Sequence, residues 1–142
     1  MAEATWQQRV DALGEGGYRR YDERTSTQLG DGAELLLDRY KGDLRRLREG
    51  EDPEKLLREI PGIGPTGVAI FLREAQAVWP EFSPYLDRKV QEGAERLGLP
   101  TSPKTLASLV EDDADLPGLA AGLTRTALDK RIAEDVHSTA AT

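Results

Sequence analysis

The residues best suited to chemistry lie in Leu56 to Ala75, LLREIPGIGPTGVAIFLREA, centred on Pro61-Gly62-Ile63-Gly64. Pro61 stops one helix, because it has no amide to donate and its ring clashes with the preceding turn. Gly62 and Gly64 admit backbone angles closed to other residues and let a second molecule come close. Ile63, apolar between two glycines, is suited to plug the turn into the core. The next helix opens at Thr66 and Gly67 with amides that have no intrahelical acceptor, and its dipole adds partial positive charge there. Such an end can hold a phosphate without a lysine or arginine. The flanks match this use: an apolar-ended helix before the turn and an amphipathic helix after it. The string therefore predicts a helix-hairpin-helix element over about 52–79, a device for holding the DNA backbone. A plain αα-turn with glycines at its corner is the alternative.

The elements that must position this turn are helical nearly throughout, with no long alternating β pattern. Trp6, Val10 and Leu13 share one face of a short first helix ended by Gly14, Gly16 and Gly17. A second helix is predicted from about Ser26 to Tyr40, with Leu29, Ala33, Leu36, Leu37 and Tyr40 as its stripe and with Gly30 and Gly32 weakening its first half. Asp43 caps a short helix carrying Leu44 and Leu47, and Asp52-Pro53 starts the one carrying Leu56, Leu57 and Ile60. After the turn, Val68, Phe71, Leu72, Ala75 and Val78 recur at helical spacing until Trp79-Pro80. Asp87 opens a helix with Val90, Ala94 and Leu97 on one face, closed by Gly98. Ser102-Pro103 starts another, and the acidic stretch Glu111 to Asp115 precedes a final helix with Leu119, Leu123, Leu128, Ile132 and Val136. The expectation is one all-α domain over 1–136, a helical bundle, with 137–142 as a disordered tail.

Composition narrows the function. Hydrophobic residues make up 38% and charged residues 32% of 142, the pattern of a globular protein. Neither a membrane-spanning apolar run nor a leader pattern is present, so the expectation is a cytoplasmic protein without a membrane partner. The absence of cysteine removes disulfides and thiolate-held metals, and the single histidine, His137, sits in a small polar tail rather than a ligand set. A net charge of −7 argues against extensive phosphate neutralisation, and leaves room for DNA held by backbone amides beside a local basic face. Arg39, Lys41, Arg45, Arg46 and Arg48 form a basic run broken by Asp43 and Glu49. It is read as a solvated helix face, with a flank for DNA as the alternative. Trp6, Tyr18 and Tyr21 are read as core aromatics, with base stacking as the alternative.

The string PGIG, its apolar helix and the follow-on YLDRKVQEGAERLGL together resemble the endonuclease III-like base-excision glycosylases of the helix-hairpin-helix superfamily. The likeness runs from about Thr25 to the last helix and is sharp over Leu56 to Leu99. It implies an endonuclease III-like fold, a DNA glycosylase of base-excision repair and damaged double-stranded DNA as partner; the alternatives are a non-catalytic helix-hairpin-helix DNA-binding module and a helical protein-interaction domain, which the net acidity favours. Gly62, Ile63, Gly64, Thr66 and Gly67 would contact the backbone. Arg88 and Lys89, beside Asp87 in sequence, are read as reaching phosphate, with simple surface cover as the alternative. Asp87 falls on the superfamily's catalytic aspartate, which assists loss of a flipped base, and Arg96 on its downstream arginine. The lysine that forms a Schiff base in bifunctional members is replaced by Thr66, which implies base removal without strand cleavage. With no cysteines, the iron–sulfur cluster of many relatives is not expected, nor any other cofactor. Relatives also carry helices ahead of the region that Thr25 begins to match, where this chain has 24 residues, so exposed apolar surface and oligomerisation are expected.

Overall fold

A computed structural model describes residues 1–140. All regular structure among them is helical: α1 (Trp6–Glu15), α2 (Asp22–Tyr40), α3 (Leu44–Arg48), α4 (Pro53–Arg58), α5 (Pro65–Ala75), α6 (Arg88–Arg96), α7 (Pro103–Ala107), α8 (Leu116–Leu128) and α9 (Lys130–Ala140), with short 3-10 turns at Pro80–Phe82 and Asp113–Asp115. The all-α expectation is met. The chain divides into two compact units, Met1–Val68 and Ala69–Thr142. No shift of composition marks this division, which falls inside α5.

In the first unit, Thr5 starts α1 with a reciprocal cap. Its hydroxyl accepts from the Gln8 amide, and the Gln8 side chain accepts from the Thr5 amide at 2.8 Å. α2 begins at Asp22, one turn earlier than the apolar stripe predicts, and runs unbroken through Gly30 and Gly32. Both glycines are buried, and their missing side chains are used for close approach. A β-carbon at Gly30 would lie 2.5 Å from Arg9 Nη2, and one at Gly32 would lie 3.3 Å from Ile60 Cγ2. Arg9 Nε donates to the Ser26 carbonyl at 3.0 Å, while the buried Ser26 hydroxyl donates to the Trp6 carbonyl at 2.9 Å. These polar contacts tie α1 to α2. α3 and α4 start at Asp43 and Asp52 as expected, each carboxylate accepting from an amide of the first turn. Leu47, Leu57 and Val68 are the deeply buried apolar residues of this unit.

The second unit has a fuller core of Leu86, Val90, Ala94, Leu106, Leu116, Ala120 and Leu123. α6 and α8 cross here with Gly93 at the contact. A β-carbon on Gly93 would sit 1.8 Å from the Leu123 carbonyl oxygen, so only glycine fits. The predicted final helix is two helices. Asp129 is extended, at φ −128 and ψ 115, and its carboxylate accepts from the Arg131 amide at 3.0 Å. This starts α9 afresh. α9 continues through His137 to Ala140, where a disordered tail is expected from sequence; positions 141–142 of that tail lie outside the described residues. α5 ends at Ala75, before Val78, which is 70% exposed.

Gly93→Ala is expected to lower unfolding stability by about 3 kcal/mol, because the obstructing atom is backbone and cannot rotate away. Gly122 lies exposed in α8 with open space beside it, so Gly122→Ala is expected to raise stability by about 0.5–1 kcal/mol. Urea denaturation of the two variants checks both signs.

Candidate functional site

Where the sequence predicts a helix-hairpin-helix, α4 is followed by a turn at 59–64 and then by α5. After α4, the Glu59 and Ile60 amides bond back to Leu56 and Leu57, and the Ile63 amide bonds to the Ile60 carbonyl at 3.0 Å. Gly62 lies at φ +86, a conformation that an L-residue adopts only with strain. Gly64 has ordinary angles and open space where a β-carbon would be. The two glycines therefore do different work: Gly62 makes the turn, and Gly64 keeps its face clear. Ile63 is half-buried and lies over the first turn of α5, with Cγ2 3.4 Å from the position of a β-carbon on Gly67. α5 starts with the Val68 amide bonded to the Gly64 carbonyl at 3.0 Å. Ahead of it, Pro65 has no amide hydrogen, and among the described residues no acceptor meets the Thr66 or Gly67 amide. Gly62, Gly64 and Thr66 are exposed. Gln28 of α2 lies against the turn, its Oε1 2.8 Å from where a Gly62 β-carbon would be.

Two cations of the basic run on α2 and α3 have carboxylate partners. Arg45 grips Asp43 through Nε and Nη2, both at 2.9 Å from a carboxylate oxygen. Arg39 pairs with Glu59 beside the turn. Arg45, Arg46 and Arg48 line a shallow depression that also contains Asp43 and Glu49. This is the mixed, solvated face expected from sequence.

Asp87 stands in the second unit at the position before α6, with φ −69 and ψ 178. Its carboxylate is held face-on by Arg73 of α5: Nε donates to Oδ1 and Nη2 to Oδ2, each at 2.9 Å. The two side chains are 21% and 11% exposed, so water screens this pair poorly. Burial by itself would raise the Asp87 carboxyl. The Arg73 hydrogen bonds and charge outweigh it and hold the group below its ordinary value of 3.8. The Lys89 and Val90 amides also favour the anion, although neither reaches it with hydrogen-bond geometry. Gln76 fixes the loop that delivers Asp87. It is buried, its Nε2 donates to the carbonyls of Arg73 at 2.8 Å and Tyr85 at 3.1 Å, and its Oε1 accepts from the Tyr85 amide at 2.9 Å. Trp79, buried and edge-on to Phe71 at 5.3 Å between ring centres, anchors the start of the same loop.

Other expected residues have different settings. Lys89 bonds Glu92 at 2.5 Å and Arg88 reaches the same carboxylate at 3.4 Å, so both cations are partnered along α6. Arg96 Nη1 donates to the Thr126 carbonyl at 3.0 Å, which gives it a structural role between α6 and α8. His137 Nε2 lies 3.3 Å from the Arg96 carbonyl oxygen. Trp6, Tyr18 and Tyr21 are 41%, 48% and 50% exposed, contrary to the core reading: α1 and α2 meet through Arg9, Ser26 and Gly30, and the rings are left outside. Sequence reasoning overlooked Arg73 and Gln76. Their signal is a long cation and an amide at the end of an otherwise apolar helix, visible only once Asp87 is known to fold back onto it. Comparison with protein-family profiles, curated proteins and solved structures finds no match.

Asp87→Asn leaves Arg73 mostly buried without its counter-charge and is expected to cost about 3 kcal/mol of stability near neutral pH. Because the folded carboxyl titrates below 3.8, the unfolded chain binds this proton more readily. The pair's stabilisation is therefore complete well above pH 3.8 and drains away as pH falls through the lowered folded value. Urea denaturation of wild type and variant at about pH 7 and about pH 3 should show the gap closing in acid; a constant gap would exclude the ion pair as its source.

Proposed function

We propose that this chain is a DNA-binding base-excision repair protein of the endonuclease III-like kind, a monofunctional DNA glycosylase that grips the duplex backbone with the α4–α5 hairpin. The observation that carries the DNA reading is the exposed turn with Gly62 at φ +86, Gly64 unobstructed and the Thr66 and Gly67 amides without acceptors. A phosphate oxygen seated there would receive two backbone hydrogen bonds and the positive end of an 11-residue helix. This contact needs no cationic side chain, which reconciles it with the net charge of −7.

Asp87 supports the enzymatic part of the reading. It is anionic at neutral pH, since burial does not raise it above the ordinary carboxyl value, and the anion is the state needed to stabilise a sugar cation as the base departs. Thr66, where a Schiff-base lysine would stand, cannot attack the sugar, so the expected product is an abasic site with the strand intact. A second reading, a hairpin-only DNA-binding module, is favoured by the bidentate grip of Arg73, which spends the Asp87 charge inside the protein.

Fluorescence anisotropy at low salt with matched duplexes, one undamaged and one carrying an abasic-site analogue, separates these readings. Preference for the abasic analogue is expected from a glycosylase with a lesion pocket; equal binding would leave the hairpin module. Gly64→Leu is expected to keep the fold, since open space surrounds Gly64, and to abolish binding by covering the turn. A folded Gly64→Leu protein that binds as wild type would overturn the hairpin assignment.

A further inference from the structure

We propose that Arg20 and Arg24, with Tyr21 between them, extend the hairpin's grip along the DNA backbone to further phosphates; this rests on the DNA-binding reading given above. The link is Gln28. Its side chain lies against the hairpin at Gly62, and Arg24 precedes it by four residues on the same helix, so the two share one face. One helical turn separates them, about 6 Å along the axis, against an axial spacing of about 3.4 Å between charges on one DNA strand. A strand seated on the Thr66 and Gly67 amides can thus pass Arg24 within reach of a long side chain.

Three further observations favour phosphate as the occupant. Arg24 is exposed, and among the described residues neither it nor Arg20 forms an ion pair with a carboxylate. Arg39 and Arg45 differ in this, being taken by Glu59 and Asp43. The Arg20 guanidinium carbon stands 5.2 Å from the centre of the Tyr21 ring, which is 50% exposed, so the cation is held over an accessible aromatic face. The neighbouring acids point to other duties. Asp22 accepts from the Glu23 amide at 2.8 Å and lines a depression with Asp11 and Glu15 of α1. Glu23 is one turn before Thr27, which bonds the Trp6 indole at 3.1 Å on the α1 side. Asp31, three residues past Gln28, ends the cationic stretch.

The test is the salt dependence of duplex binding by the whole chain, for wild type, Arg20→Gln, Arg24→Gln, Gly64→Leu and the control Lys104→Gln, an exposed cation of α7. A cation that neutralises one phosphate contributes about 0.9 to the slope of log K against log salt, so its removal should make the slope shallower by that amount. The expected result is that reduction for Arg20→Gln and for Arg24→Gln, with melting unchanged and with Lys104→Gln at the wild-type slope. Wild-type slopes for both arginine variants, beside abolished binding in Gly64→Leu, would overturn this extension and keep the hairpin. An equal reduction for Lys104→Gln would also overturn it, because the slope would then report net charge. No binding by the wild type would overturn the extension and the DNA-binding reading together.

Discussion

The second unit depends on how closely α6 can approach α8. Gly93 lets the Leu123 carbonyl into the space a side chain would fill, and that contact brings Val90 and Ala94 to full burial. Arg96, one turn further along α6, is then near enough to bond the Thr126 carbonyl. A helix fixed at this crossing also fixes its first residue. Asp87 is therefore delivered by the core as much as by its own loop, and Gln76 and Trp79 complete the placement from the α5 side.

The two candidate functional features solve the problem of charge in opposite ways. The turn between α4 and α5 leaves partial charge on exposed backbone amides, and the Arg39–Glu59 ion pair neutralises two side chains nearby. Asp87 presents a full charge that is closed on Arg73. A carboxylate so paired is well suited to hold a helix start in place. To act on a substrate it must keep enough field beyond the guanidinium, or exchange that partner for another.

The elements of the first unit show where close packing of glycine replaces apolar burial. Gly30 and Gly32 read from sequence as helix-weakening residues, because intrinsic propensity counts only the backbone entropy that glycine loses. In the folded unit they receive Arg9 and Ile60, and the contacts offset that loss. In the same unit the polar guanidinium of Arg9 lies between α1 and α2, while the rings of Trp6, Tyr18 and Tyr21 are exposed.

What depends on near neighbours was legible from the residues alone: the helical class, the caps at Asp43 and Asp52, the proline-glycine turn after α4 and the helix start at Asp87. Hydrogen bonds within a few residues and the 3.6-residue period settle these, and both are legible in one dimension. Tertiary structure decided the break at Asp129, the glycine seats at Gly30 and Gly93, and the partner of Asp87. Each of these rests on which segment comes to lie alongside. Arg73 and Asp87 are 14 residues apart with a loop between them, and no local rule ties their side chains. Only the packing of that loop by Gln76 and Trp79 turns a cation in one helix and an acid before another into a single ion pair.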